Sequence, residues 1–168
     1  MFISKKLLKI QLIISIVFHV LFSIQILFYV APIKSDDTWV GWKELAIETE
    51  KLQEKYPNTF VFSDDNYKTS ACLNFFMDDK VYAQNIIGLP ALHFDYLGDD
   101  LTTLKGKNAI FIDSDKRFKT TDKLGEINPL LDAYFKNVTE LEPIIIQINK
   151  NQSRKFWVFY CTDYQPKK

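Results

Sequence analysis

The chain has 168 residues, the length of one ordinary domain or of a smaller domain with an appendage. It carries 21 Lys and Arg against 21 Asp and Glu, and this zero net charge argues against a basic nucleic-acid-binding protein and against an acidic disordered one. Apolar residues make up 47% of the chain, which is enough for a packed core. The 2 cysteines are too few for a disulfide scaffold.

The charges are unevenly distributed along the chain. The first 35 residues contain no acid, and their charged side chains are Lys5, Lys6, Lys9 and Lys34. The rest of the chain therefore carries the compensating excess of acid. This asymmetry predicts two different parts, a basic apolar segment followed by a mildly acidic domain.

The uncharged run at residues 10–33 predicts a transmembrane helix. As an α-helix it would span about 36 Å, against about 30 Å for the hydrocarbon core of a bilayer. A soluble helix is rarely apolar on nearly every face, and residues 28–32 lack the small-residue pattern of a signal-peptide cleavage site. We expect a retained span at 10–33, a basic tail at 1–9 and a linker at 34–38.

Lysines before the predicted span determine its expected orientation. Lys5, Lys6 and Lys9 precede it, whereas Asp36 and Asp37 follow soon after it. The positive-inside rule therefore places the N-terminus in the cytoplasm. We expect a bacterial inner (plasma) membrane protein whose C-terminal domain is periplasmic, on the extracytoplasmic side.

Polar residues inside the predicted span recur every four positions. They are Gln11, Ser15, His19 and Ser23, and this spacing places them on one helix face. One interpretation is a face that docks on the helices of a multi-span membrane partner. The alternative is that the serines bond to their own backbone and that a single neutral histidine is tolerated in lipid.

After the linker, helical and strand patterns alternate. Apolar side chains at helical spacing predict a helix at residues 39–56, and residues 59–63 have the composition of a buried strand. The polar residues 64–66 then predict the cap of a second helix that ends near residue 77. The side chains expected to face the core from this second helix are Ala71, Cys72, Phe75 and Phe76.

The second half of the chain predicts more strands than helices. In chain order we expect a strand at 81–83, an irregular segment at 85–107, a strand at 108–113, a helix at 129–135, and a hairpin with strands at 144–148 and 156–160. The predicted fold is a small α/β domain at residues 39–164, followed by a short tail at 165–168. It has a mixed sheet with an antiparallel C-terminal hairpin at its edge and is covered by helices.

Two segments offer candidate ligand-contact residues. Asp64 and Asp65 follow a predicted strand end, where α/β folds often bind ligands, although two acids there are also typical of a helix cap. His93 and Asp95 are spaced as an acid–base pair, or alternatively belong to a loop that contacts a neighbouring domain. One histidine without a second set of ligands predicts no metal site, and we expect no cofactor.

The two cysteines leave two interpretations open. Cys72 lies on a predicted helix and Cys161 on the last predicted strand. An extracytoplasmic location permits a disulfide between them. Both could equally be buried thiols that pack as small apolar side chains.

Several short motifs occur in an order and spacing that resembles one known region. They are Asp37-Thr38 followed by GWKELA at 41–46, FVFSD at 60–64 with Tyr67, FDY at 94–96, LKGKNAIF at 104–111, FKNV at 135–138, EPI at 142–144 and FWVFYC at 156–161. Across about residues 10–164, the chain resembles the last membrane helix and soluble C-terminal domain of bacterial glycosyltransferase family 39, relatives of the dolichyl-phosphate-mannose-protein mannosyltransferases.

The resemblance implies a role in moving a sugar from a polyprenyl-phosphate donor at the outer face of a membrane. Family members carry their catalytic acids in an early extracytoplasmic loop that has no counterpart here, so the resemblance implies no catalytic residue in this chain. We expect an accessory subunit or a truncated or split gene product that contacts a lipid-linked sugar. The ligand contacts expected with it are Asp64, Asp65, Tyr67, His93, Asp95 and Tyr96.

Two other functions compete with this expectation. The first is a single-span interaction or structural protein without sugar chemistry, which would use its edge hairpin to bind a partner. The second is a hydrolase that uses Asp64, Asp65, His93 and Asp95.

Overall fold

The computed structural model describes residues 4–31, 40–115, 129–150 and 152–167. The chain divides into two compact units, Met1–Ile33 and Lys34–Lys168, and each is described here by itself. The predicted linker at 34–38 lies outside the described residues.

The described part of the first unit, residues 4–31, contains one helix, α1, at Lys5–Phe28. The helix begins earlier than the apolar run because the side chain of Ser4 accepts a hydrogen bond from Leu7 N (3.3 Å) and caps its first turn. It ends at Phe28, because the next residue, Tyr29, has a left-handed backbone with φ of 45°. By length and composition, α1 is long and apolar enough to cross a membrane.

The second unit contains a five-stranded mixed sheet in the order β2-β1-β3-β5-β4. Its strands are β1 at Thr59–Phe62, β2 at Val81–Tyr82, β3 at Asn108–Ser114, β4 at Phe135–Asn149 and β5 at Gln152–Tyr164. The first three strands are parallel, and β5 pairs antiparallel with both β3 and β4. The predicted α/β class, mixed sheet and C-terminal hairpin are therefore confirmed.

Short helices surround this sheet. They are α2 at Trp42–Lys55, α3 at Lys68–Phe76 and α4 at Leu131–Tyr134. The segment predicted to be irregular contains three 3-10 turns, at Gln84–Ile87, Leu92–Asp95 and Leu101–Leu104. These turns are too short to leave a periodic apolar signal in the sequence.

Alternation along the strands produces a separate core on each face of the sheet. On one face, Ile110 and Ile112 pack with residues of α2 and α3, including Leu45. On the other face, Phe111 packs with the first 3-10 turn and with α4. The connection from β1 to β2 and the connection from β2 to β3 therefore cover opposite faces of the sheet.

The predicted core-facing side of α3 is confirmed for Ala71 and Cys72, which are partly buried and pack against core residues, and is wrong for Phe75 and Phe76. Phe75 is 80% exposed and Phe76 is also exposed, whereas the buried residues of this helix are Thr69, Ser70 and Leu73. Thr69 and Ser70 face inward because their hydroxyls have hydrogen-bond partners there, which removes the penalty for burying them. The helix is therefore rotated away from the orientation that its apolar residues indicate.

The outer edge of the sheet is formed by β4. This strand contains Pro143, and its register with β5 shifts between Leu141 and Ile144. Ile144 and Ile146 are buried in the core beneath α2, whereas Ile145 between them is 59% exposed. A proline and a bulge in mid-strand are two devices that limit pairing of an exposed edge with another strand.

Candidate functional site

The carboxyl ends of the parallel strands define the candidate site. β1 lies between β2 and β3, and the chain reaches these two neighbours over opposite faces of the sheet. Open α/β sheets bind their ligands outside the carboxyl ends of the strands at such a switch point. We call this side of the sheet the carboxyl edge; it includes residues that follow β1, β2 and β3 and the antiparallel start of β5.

Asp65 anchors the loop after β1 to the start of α3. Its carboxylate accepts hydrogen bonds from Thr69 N (3.1 Å), Thr69 Oγ1 (2.6 Å) and Ser63 Oγ (3.1 Å). Ser63 Oγ also lies 2.6 Å from Ser70 Oγ, which donates to Tyr82 O at 2.6 Å. These bonds join β1, α3 and β2, and they satisfy the hydroxyls of the buried Ser63 and Ser70. Asp65, by accepting from Thr69 N, caps the first turn of α3.

We expect Asp65→Ala to lower the free energy of unfolding by about 1–2 kcal/mol, because Thr69 N and Ser63 Oγ lose their acceptor. Urea unfolding of the full chain, followed by tryptophan fluorescence, measures this loss. The matched control is Asp79→Ala, which removes an exposed carboxylate and should change the free energy by less than about 0.5 kcal/mol. Equal effects of the two substitutions would contradict the capping role.

Gln84 joins the loops that follow β1 and β2. Its Oε1 accepts a hydrogen bond from Asn66 N at 3.0 Å, and its Nε2 donates to Asn66 Oδ1 at 3.3 Å and to Pro90 O. Gln84 is buried, so these bonds satisfy an amide that would otherwise be costly to bury. They hold the 64–67 loop beside the segment that leads into the second 3-10 turn.

Exposed aromatic and aliphatic side chains cover the outside of these two joined loops. The ring of Tyr67 meets the ring of His93 edge-on at 5.7 Å between centroids, and Tyr96 is 89% exposed. Leu92 and Leu97 are 56% and 57% exposed. We call this surface the aromatic patch; its members are Tyr67, Leu92, His93, Tyr96 and Leu97.

The structure therefore brings part of the predicted ligand-contact set together. Tyr67, His93 and Tyr96 belong to the aromatic patch, whereas Asp65 acts as a cap and Asp64 is half-buried beside it. Asp95 Oδ2 accepts a hydrogen bond from Ala91 N at 2.8 Å, and within the described residues it makes no hydrogen bond to His93. The geometry of an acid–base pair is thus not formed.

Two buried cationic residues of the carboxyl edge, Arg154 and Lys155, are not among the candidate site residues predicted from the sequence. Arg154 is fully buried, and its guanidinium lies over the ring of Trp42 at 4.0 Å and over that of Phe156 at 4.7 Å. Its Nη1 donates to Val40 O at 3.0 Å. Lys155 Nζ lies 3.6 Å from the ring centroid of Trp157. Two cationic residues followed directly by two aromatic residues at 154–157 are the sequence signal for these pairs.

The hydroxyl of Ser114 also lies at this edge. Ser114 ends β3 and is buried, and within the described residues its Oγ has no hydrogen-bond partner. The same part of the chain holds no group of three or more His, Cys, Asp or Glu side chains arranged to bind a metal ion. The groups that the described carboxyl edge provides therefore include the hydroxyl of Ser114 and the packed cation–aromatic pairs.

The two cysteines are free thiols on opposite faces of the sheet. Cys72 packs against the core that contains Ile110, and Cys161 belongs to the core that contains Phe111. A disulfide between them would have to pass through the sheet, so the structure corresponds to the alternative of separate thiols that pack as apolar side chains, with Cys161 buried and Cys72 partly buried. Burial raises the pKa of Cys161 to about 12 and also raises the pKa of Cys72, where Arg154 and Lys68 act against it.

We expect the free energy of unfolding to fall as the pH rises from about 9 to about 12. The folded state keeps the Cys161 proton up to a pKa of about 12, whereas the unfolded thiol releases it near 9.0, so the unfolded state binds fewer protons in this window. The loss is at most about 1.4 kcal/mol per pH unit. Urea unfolding at a series of pH values measures it.

Cys161→Ala provides the control for this pH dependence. Burial also raises the pKa of Tyr164 from 10.0 to about 12, so the variant should still lose stability above pH 10. Between pH 9 and 10 its stability should change less than that of the unaltered chain. Identical slopes for both proteins in that interval would show that Cys161 does not cause the effect.

The polar stripe of α1 has the following arrangement. His19 Nδ1 lies 2.7 Å from Ser15 O, so the imidazole pairs with the backbone of its own helix. Gln11, Ser15, His19 and Ser23 are all exposed. Pairing with the local backbone lowers the cost of a histidine in lipid, and docking of this face on other membrane helices stays a prediction.

No protein-family model matches this chain, and comparisons with curated proteins and with solved structures find no significant match. The resemblance to family 39 glycosyltransferases therefore rests on the motifs quoted above, and the functions that it implies remain predictions.

Proposed function

We propose that this chain is a membrane-anchored extracytoplasmic domain that binds a lipid-linked sugar for a membrane partner and does not itself catalyse transfer. The observation that carries this proposal is that polar and apolar side chains have different places at the carboxyl edge. The polar groups of Asp65, Ser63, Ser70 and Gln84 hold the loops together, whereas the aromatic and aliphatic side chains of the aromatic patch are exposed on the outside. Such a surface suits binding by stacking and apolar contact.

Support for the anchor comes from α1 and the charges around it. Its uncharged part, residues 10–28, corresponds to about 28 Å along the helix axis, close to the thickness of the hydrocarbon core of a bilayer. Lys5, Lys6 and Lys9 precede the apolar stretch, and the positive-inside rule then favours a cytoplasmic N-terminus. In this proposal the α/β unit is outside the cytoplasm of a bacterial cell.

The proposed ligand follows from the resemblance and from the aromatic patch. A polyprenyl-phosphate sugar presents apolar sugar faces, which pack on aromatic rings such as those of Tyr67 and Tyr96. The proposed partner is a multi-span membrane protein that contacts the Gln11–Ser23 face of α1 through small and hydrogen-bonding side chains.

A photoactivatable polyprenyl-phosphate sugar tests the proposed ligand on the full chain in detergent micelles. We expect cross-linking to the unaltered chain and about fivefold less to Tyr96→Ala, because a stacking aromatic contributes about 1 kcal/mol. The control is Phe75→Ala, which removes an equally exposed ring from α3. Equal labelling of all three proteins would reject the ligand site, and sugar transfer by the chain alone would reject the non-catalytic role.

A single-span interaction protein without sugar chemistry is the second candidate. It is favoured by a groove of about 480 Å³ between α2 and the edge strand β4, lined by Ile47, Leu52, Pro143 and Ile145 among others. Edge strands with adjacent grooves bind extended peptides. The upstream nucleotide sequence distinguishes the candidates, because a multi-span glycosyltransferase reading frame directly before this one favours the first.

A further inference from the structure

We propose that the aromatic patch rests in the headgroup region of the bilayer, so that the carboxyl edge of the sheet faces the membrane surface. This inference rests on the membrane anchoring in the proposed function and adds the lipid surface as the binding partner of this edge. Three observations carry it: the composition of the patch, the conformation of Leu92, and the position at which the chain enters the domain.

The composition of the patch is typical of a membrane-interface surface. Its five side chains are all exposed; Tyr67 contacts His93, and the other members follow within the segment 92–97. Tyrosines are enriched at bilayer interfaces because their rings are apolar and their hydroxyls remain hydrated. Leu92 and Leu97 add aliphatic side chains that water solvates poorly.

Leu92 is held in an unfavourable backbone conformation that exposes it. Its φ is +51°, in the left-handed region that bulky residues rarely adopt. The bond from Ala91 N to Asp95 Oδ2 (2.8 Å) closes the turn around it, and the neighbouring Phe94 is buried as its anchor. Backbone strain of this kind persists where the surrounding structure enforces it, often at binding surfaces.

The chain enters the α/β unit at the same edge of the sheet. Arg154 Nη1 holds Val40 O at 3.0 Å, and Arg154 lies near the start of β5. Phe156 pairs with Ser114 at the carboxyl end of β3, which places the start of β5 at the carboxyl edge. The entry point and the aromatic patch therefore share one side of the domain, within the width of a five-stranded sheet.

The chain between α1 and this entry point is short. Residues 29–39 separate Phe28 from Val40 and can extend over at most about 40 Å. A tether of this length keeps the domain at a high effective concentration at the membrane surface. Weak insertion of a few side chains is then sufficient to hold the edge against the bilayer.

The charges near the patch specify the kind of lipid surface. The loop and turn that present it carry three carboxylates, on Asp64, Asp65 and Asp95, against one adjacent lysine, Lys68, while Lys80 pairs with Asp99. Carboxylates are repelled by anionic headgroups. We therefore expect the patch to favour a zwitterionic phosphatidylcholine surface over one rich in phosphatidylglycerol.

A fluorescence experiment on the full chain in phosphatidylcholine vesicles tests the inference. An environment-sensitive dye is attached to Tyr96→Cys in a Cys72→Ser background, in which Cys161 is buried and unreactive at neutral pH. The vesicles contain lipids with a nitroxide quencher on the headgroup. The matched control is the dye on Lys105→Cys, an exposed residue just before β3 at the opposite edge of the sheet.

We expect at least about twofold stronger quenching at position 96 than at position 105. Adding Leu92→Ser and Leu97→Ser should reduce quenching at 96 to the control level, and added phosphatidylglycerol should weaken it. Equal quenching at 96 and 105 overturns the inference and assigns the patch to a protein or free-ligand contact. A dye on Val17→Cys tests the anchor separately with acyl-chain quenchers, so the failure of α1 to insert is distinguishable.

Discussion

Replacing Phe62 by alanine is expected to lower the free energy of unfolding by about 3–5 kcal/mol. Phe62 ends β1, an interior strand of the sheet, and its side chain is fully buried. Its ring centroid lies 5.0 Å from that of Phe111 and 5.6 Å from that of Phe135. Truncation would leave a cavity among aromatic rings that belong to three different strands. Urea unfolding of the full chain in detergent, followed by circular dichroism, measures the loss.

Phe75→Ala is the matched control for this experiment. The same atoms are removed, but the ring is 80% exposed at the end of α3, so the change should be less than about 0.5 kcal/mol. This pair also tests the rotation of α3. If Phe75 faced the core, as its apolar character predicts, both substitutions would be severely destabilising.

The second large effect is expected at Arg154. Arg154→Ala should lower the free energy of unfolding by about 3 kcal/mol, because the guanidinium loses its position over Trp42 and Phe156 and its hydrogen bond to Val40 O. Arg154→Lys should lose most of the same energy, since an ammonium group cannot stack as a planar fork does. Tryptophan fluorescence reports the transition directly, because Trp42 is one of the contacts.

Lys43→Ala is the control for Arg154. Lys43 is exposed on α2 next to Trp42, and its removal should leave the free energy of unfolding unchanged within about 0.5 kcal/mol. An Arg154→Lys variant as stable as the unaltered chain would show that charge alone, and not the planar stacking geometry, is required at this position.

The strands were predictable because each carries its own local signal. The apolar runs that begin at Thr59 and Asn108 correspond to β1 and β3, and the turn near Asn149 correctly indicates the hairpin. The two hairpin strands are longer than predicted. Residues such as Lys136 and Glu140 lie on the exposed edge strand β4, where polar side chains hide the apolar pattern by which a strand is recognised. Helix α1 likewise extends to Lys5, since lysines are good helix formers outside an apolar run.

The candidate site was less predictable, because it depends on contacts between distant parts of the chain. Tyr67 and His93 meet only after Gln84 has joined the two loops, and no local pattern encodes that bond. Thr69 and Ser70 are buried because Asp65 and Tyr82 O accept their hydrogen bonds, which overrides the apolar pattern of α3. Arg154 is a charged residue that hydropathy places outside, although aromatic rings enclose it.

The isoleucines of β4 have a consequence for the fate of partly unfolded molecules. Ile144 and Ile146 are shielded by α2, and Ile145 already faces solvent at an open strand edge. If α2 detached, residues 144–148 would expose an uncharged stretch without glycine or proline, the composition that forms cross-β assemblies. Pro143 and Glu142 oppose aggregation at the N-terminal end of this stretch, whereas the first charged residue after its C-terminal end is Lys150. Thermal denaturation of this domain should therefore end in irreversible aggregation, because unfolding removes the cover that α2 provides for the edge strand β4.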